Sequence, residues 1–289
     1  LGPNCYAREG IGISNTPEKC GRELTEYLLT DKNDILISCG GGELMCETLD
    51  FVDFDAIRKA QPKWYMGYSD NTNLTFLLTT LCDTASVYGP CAGSFGMEPW
   101  HESIQDALDL LRGRKLVMKG YEKWEKEPYE ADENPLVPYH LTETRLLRSF
   151  PEGDSTFSGR LIGGCMDCLV TLLGTRYDRV ADFSKTYEQD GFIWFLESCD
   201  LNVFSIRRAV WQMQHAGWFS HVKGFLIGRP LVFGQDQYHA VYDLLKEYQV
   251  PVIMDVDLGH LPPMMPLITG SLAAVTAQGN ELEIKMELK

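Results

Sequence analysis

The chain has 289 residues, 44% of them apolar and 23% charged. That balance supplies a sizeable core for one large or two medium domains and excludes disorder and low complexity. Lys and Arg number 26 against 41 Asp and Glu, a net charge of −15, which repels phosphate backbones and anionic membrane surfaces and so argues against nucleic-acid or membrane partners. No apolar run approaches the ~18 residues of a membrane span. The opening stretch LGPNCYAREG lacks the basic-then-apolar pattern of a secretory leader. Nine cysteines are scattered along the chain. Only Cys165 and Cys168 form a CxxC, with no second pair to complete a four-ligand zinc site, so they read as reduced, mostly buried thiols of a cytosolic protein.

In chain order, Asp34–Cys39 is a short apolar run ending in Gly40-Gly41-Gly42, a buried strand entering a glycine turn. Phe54–Ala60 reads as a helix closed before Pro62. Lys63–Met66 is a second strand that runs into Gly67-Tyr68-Ser69-Asp70, and Asn73–Leu81 continues as an apolar helix. Ser86–Tyr88 is a third strand stopped by Gly89-Pro90, Glu102–Leu111 has helical periodicity, and Lys115–Met118 is a further strand. Strands alternating with helices predict an α/β domain over 1–119, built on a parallel sheet.

Residues 120–158 break this rhythm. They hold Pro128, Pro135, Pro138 and Pro151 with many charges and no sustained period, which predicts a linker. Its aromatics Tyr121, Trp124, Tyr129 and Tyr139 read either as packing on a domain or as walls of a cleft at the junction. A second domain over 159–289, with mixed α/β and β-rich elements, follows. Gly159–Gly164 leads into a helix ending at Leu173, Phe192–Leu196 is an apolar strand, and Val203–Ala216 a helix. Lys223–Ile227 and Val250–Met254 are strands flanking a helix over Asp236–Tyr248, and the alternating tail 281–289 is a strand with Leu282, Ile284, Met286 and Leu288 facing inward.

Three strand ends carry chemistry. Ser69 sits on a turn between a strand and a helix, the setting of a nucleophile elbow, although Asn71 replaces the second glycine of G-x-S-x-G. By itself a serine in this place is more often a helix N-cap than a nucleophile. The glycine turn at 40–42 lets backbone approach a ligand and offers N–H donors, or is simply a tight turn; it lacks GxGxxG and GK[ST]. Among six histidines, His101, His215, His221 and His239 lie in polar stretches and His140 in the linker. His260 follows a buried strand on a loop, where a β/α scaffold places catalytic groups. Glu197, at the end of an apolar strand, would be buried and need a partner. Together the three form a nucleophile, a base and an orienting acid.

These stretches, with Gly163-Gly164-Cys165, Leu196-Glu197-Ser-Cys-Asp200, Gly224–Arg229 and Gly259-His260, resemble the serine LD-carboxypeptidase family, which spans murein-tetrapeptide carboxypeptidases and microcin C immunity peptidases. The resemblance runs through nearly the whole chain. It implies two domains with the active site between them, a Ser69–His260–Glu197 triad, and an oxyanion hole from the Asp70 N–H and an N–H of Gly41 or Gly42. It implies no cofactor and no metal, a small peptide or peptidyl-nucleotide substrate, a cytoplasmic location and a homodimer. Family members carry a further strand and helix ahead of the point corresponding to LGPNCYAREG, a unit expected to lie outside this sequence. Glu43 and Leu44 stand where the family often has an aromatic or Asn and a small residue, which implies a different pocket shape. A cationic clamp for an anionic substrate group is expected on electrostatic grounds, with Arg229, Arg207 and Arg208 as candidates and Trp124 as an aromatic face for a base. The alternative from another class is a binding protein that kept the cleft without the chemistry.

Overall fold

The structure, a computed structural model, describes residues 1–126, 136–231 and 235–288. Pro128, Tyr129 and Pro135, named above, lie outside them, as does the last residue of the 281–289 tail. The first sheet contains β1 (Ile35–Ile37), β2 (Trp64–Gly67) and β3 (Ser86–Tyr88) in parallel order. The second contains β4 (Val117–Lys119), a larger group formed by β7 (Arg148–Phe150), β8 (Ser155–Cys165), β9 (Phe192–Glu197), β10 (Val222–Gly228) and β11 (Val252–Val256), and the terminal β13 (Leu272–Gln278) and β14 (Glu281–Glu287). Its order is β4-β14-β13-β8-β9-β10-β11-β7. The central β8–β11 run parallel, and antiparallel strands border them on both sides. A two-stranded ribbon pairs β5 (Lys123–Trp124) with β6 (Glu143–Thr144).

The chain crosses the expected domain boundary twice. β4, expected in the parallel sheet of the first half, pairs antiparallel with β14. β12 (Leu267–Thr269) returns from the C-terminal half to pair antiparallel with β3. Residues 148–150 and 155–158, expected as linker, are strand, because β7 finds an edge partner in β11. One apolar core draws Met66, Val87 and Ile268 from the first sheet together with Leu161, Phe195, Leu226 and Ile284 from the second.

Helices begin where side chains cap them. Asp53 accepts the Ala56 N–H (2.9 Å) at the start of α3 (Phe54–Lys59), and Asn202 accepts that of Ser205 (3.0 Å) at the start of α8 (Val203–His215). The first helix, α1 (Pro17–Leu29), has Thr16 at its N-cap and Pro17 at its first position. Between these sheets lies α4 (Thr72–Thr80), buried along its whole length and touching both β3 and β8. Its buried Thr75, Thr79 and Thr80 hydroxyls donate to Asn71, Thr75 and Phe76 carbonyls (3.3, 3.3 and 3.0 Å), so no polar cost is left from them.

The alternating tail has a direct test. Ile284 is fully buried opposite Val275, whereas Lys285 points outward. Ile284→Ala should lower stability by about 2–5 kcal/mol in urea denaturation, and Lys285→Ala by less than about 0.5 kcal/mol.

Candidate active site

β2 ends at Gly67, and the chain passes through Ser69 at φ 61° before entering α4. A non-glycine residue in the left-handed region stores strain and needs surrounding contacts to hold it. Asn71 supplies them. Its Nδ2 donates to the carbonyls of Gly40 and Tyr68, both 2.9 Å, and its Oδ1 accepts the Tyr65 hydroxyl at 2.5 Å. The residue that breaks the G-x-S-x-G pattern therefore ties the elbow to the glycine turn. Asp70 adds a second tie, accepting the Met45 N–H at 2.8 Å and the Asn73 amide at 2.9 Å.

Gly41 lies against the serine: a Cβ added there would sit 3.3 Å from Ser69 Oγ. Among the described residues the Gly41 and Asp70 amides donate to no acceptor. Gly42 instead abuts the Asp70 carboxylate and the Gly12 carbonyl, which places it farther from the hydroxyl.

Glu197 is the last residue of β9 and is 1% exposed. His260 reaches it from the loop after β11. His260 Nδ1 is 2.8 Å from Glu197 Oε2, and His260 Nε2 is 2.9 Å from Ser69 Oγ. With Nδ1 protonated, the imidazole donates to the carboxylate and accepts from the hydroxyl. The other carboxylate oxygen, Oε1, accepts from the Tyr88 hydroxyl, which also lies 3.4 Å from the Ser69 N–H. Burial, and then the charge of Glu197, push the Tyr88 phenol far above its ordinary pKa, so it stays a donor. Gly259, at φ 92°, makes room for this contact, since a Cβ there would collide with Glu197 Oε2. Burial alone would lower the His260 pKa, but the hydrogen bond and charge of Glu197, with smaller help from Asp167 and Asp200, raise it above the ordinary imidazole value.

Ser69, His260 and Glu197 thus converge from separate strand ends across both sheets. Trp124 and Arg229 are also brought together, the guanidinium carbon 5.1 Å from the indole centroid. Arg229 is 3% exposed and paired with Asp257, while among the described residues its Nε and Nη1 have no hydrogen-bond partner. Arg207 donates to the Ala240 carbonyl and Arg208 to Ser205 Oγ, placing both on the outer helix α8. Among the described residues no group of His, Cys, Asp and Glu has a metal-holding arrangement. Sequence reasoning passed over Tyr88, although it too ends a strand. It also passed over Thr72, whose Oγ1 accepts the Cys165 N–H at 3.0 Å and docks the elbow on β8.

The N-terminal domain model of the LD-carboxypeptidases matches residues 1–89, and their C-terminal domain model matches residues 158–275. The chain is 25% identical over 283 residues to the microcin C7 self-immunity protein MccF of Escherichia coli, covering 94% of this chain and 79% of that one. A solved structure of MccF with glutamyl sulfamoyl guanosine superposes with a TM-score of 0.82 at 23% identity, over 99% of this chain and 85% of that one. The MccF-like protein from Streptococcus pneumoniae in complex with AMP gives 0.75 at 20% identity, over 94% and 83%.

Two substitutions test this geometry. Gly259→Ala should separate Glu197 from His260 and destabilise the fold by about 1–3 kcal/mol, read by denaturation and by loss of the downfield Nδ1–H proton resonance. Tyr88→Phe leaves Glu197 Oε1 buried with one donor fewer and should cost about 1–3 kcal/mol by the same denaturation assay.

Proposed function

The chain belongs to the LD-carboxypeptidase family, and on that premise we propose that it is a serine peptidase cleaving an amide bond after an L-configured centre, as in release of a terminal D-alanine from a murein tetrapeptide. The observation that carries the reading is the unbroken chain of contacts from Ser69 Oγ through His260 to Glu197 at 2.9 and 2.8 Å. His260 takes the Ser69 proton as Oγ attacks the carbonyl carbon. Glu197 holds the imidazole in the tautomer that accepts at Nε2 and stabilises the imidazolium that forms. The free amides of Gly41 and Asp70 are the donors for the developing oxyanion. His260 then protonates the departing amine, and water, deprotonated by His260, hydrolyses the acyl-enzyme. We extend the reading to a homodimer in the cytoplasm, as the family resemblance implies.

A second substrate class shares this chemistry. MccF structures hold aminoacyl sulfamoyl nucleosides, and the half-buried Trp124 ring beside Arg229 offers a face on which a base would stack. The two classes separate by assay: release of D-alanine from a tetrapeptide against hydrolysis of an aminoacyl nucleotide. A binding protein without chemistry gives neither.

Ser69→Ala should lower kcat/KM by about 10³-fold or more on whichever substrate is cleaved, and should abolish the single adduct that a serine-directed phosphonate leaves on the wild type in intact-mass measurement. An adduct on Ser69→Ala would overturn the assignment. Because His260 is a base only when neutral, its raised pKa predicts an acid limb of kcat/KM centred above the ordinary imidazole value, with activity rising as pH increases through it. Glu197→Gln should move that limb to lower pH while lowering the plateau.

A further inference from the structure

Two thiols meet beside the glycine turn. Cys39, the residue before Gly40-Gly41-Gly42, donates its S–H to the sulfur of Cys5 at 3.1 Å, across 34 positions of the chain. Cys39 is exposed and Cys5 half-buried, so a small solute reaches both. The contact with Cys5, and then burial, push the Cys39 thiol up to about 11, so Cys39 keeps its proton and the contact persists at neutral pH.

Each thiol stands on a segment that other contacts hold. Cys5 lies on a short helical turn, Pro3–Tyr6, which Asn4 ties to α1: the Asn4 N–H donates to Glu23 Oε2 and its Nδ2 to the Lys19 carbonyl, both at 3.2 Å. Cys39 follows Ser38, whose N–H donates to the Met66 carbonyl of β2 at 2.9 Å and whose carbonyl accepts the Ala92 N–H at 2.8 Å. Groups held together in this way react at a high effective concentration.

The neighbouring residues give the pair a consequence. The Gly40 carbonyl accepts Asn71 Nδ2 at 2.9 Å, and Gly41 lies against Ser69 Oγ. Nothing lies within 4 Å of the place a Cβ of Gly40 would take, so the turn has room to shift there. Cys5, Cys39, Gly40 and Gly41 border one cavity, which Ser69 does not border. A covalent bond brings two sulfurs closer than contact allows, and so draws Cys39 and the turn toward Cys5, away from the serine.

We propose that Cys5 and Cys39 form a redox-modification site, a dithiol that closes reversibly to a disulfide and slows reaction at Ser69 by displacing the glycine turn. The oxidant is a low-molecular-weight disulfide of the glutathione type. Cys5, its proton lost to solvent, attacks one sulfur of the oxidant; that S–S bond breaks and one thiol leaves, taking a proton from solvent. Cys39 then gives up its proton and attacks the mixed disulfide at Cys5, which forms the Cys5–Cys39 bond and releases the second thiol. Two protein thiols lose two electrons, and one small disulfide becomes two thiols. Excess thiol runs the exchange backwards, so the pair closes only when the surroundings turn oxidising. The effect on Ser69 rests on the peptidase reading above; the bond itself does not.

The test treats the reduced protein with glutathione disulfide and reads the cross-linked peptides, the Tm, and the rate at which a serine-directed phosphonate labels Ser69. A Cys5–Cys39 cross-link is expected, with a Tm rise of about 5 °C or more and labelling slowed by about 10-fold or more, all reversed by dithiothreitol. Cys5→Ser and Cys39→Ser should label at the rate of the reduced wild type and ignore the oxidant. A cross-link from either cysteine to another partner, a glutathione adduct that stays unresolved on the wild type, or a Cys5–Cys39 bond that leaves labelling unchanged would overturn the proposal. Equal slowing of Cys5→Ser by the oxidant would also overturn it, since other thiols would then be responsible. An unlabelled reduced wild type would remove the peptidase reading and with it the effect on Ser69, while peptide mapping and Tm still decide the bond.

Discussion

Glu197 carries a charge at the end of a strand whose six residues are all buried. A lone carboxylate in that position would cost several kcal/mol. Its two oxygens are satisfied from opposite directions, Oε2 by His260 on the loop after β11 and Oε1 by Tyr88 at the end of β3. One buried charge therefore draws a strand end of the first sheet and a loop of the second to a single point. The Thr72–Cys165 and Ser69–His260 contacts close the same seam. Removing either partner of Glu197 leaves a buried carboxylate oxygen without its donor and so weakens the seam.

The seam explains why the two sheets exchange strands. β12 leaves the C-terminal half to border β3, and β4 leaves the N-terminal half to border β14. With a common core and α4 wedged between the sheets, the elbow, His260 and Glu197 are built on elements packed against one another. A nucleophile must stand within hydrogen-bond reach of its base before substrate arrives.

The charge distribution is uneven around Ser69. On one side, among the described residues, the Gly41 and Asp70 N–H groups are unpaired, a setting that favours negative charge. On the other, a cavity lined by Glu43, Asp70, Asp167 and Asp200 is hostile to anions.

Local pattern determined a good deal of this protein. Apolar runs predict β1, β2 and β9, the first two ending in glycine, the period of Glu102–Leu111 predicts the helix found there, and the alternation of the tail predicts β14 with Ile284 inward. Ser69, Glu197 and His260 were legible because each stands where an apolar strand gives way to a turn or loop, a position visible along the chain. α1 and β13 were not read, the first because its sequence is polar overall and its apolar face narrow and the second because Leu272–Gln278 mixes alanines with polar residues. Only the tertiary structure decided which strands pair, since pairing is set by partners more than a hundred residues apart, as in β4 with β14 and β7 with β11. It alone showed that Tyr88 completes Glu197, that Asn71 serves the elbow it seemed to break, that Arg229 is spent on Asp257, and that Glu43 and Asp200 face one cavity. Spacing along a chain says what a residue can do, but a hydrogen bond or a repulsion depends on distance in space, and only the packed fold sets that.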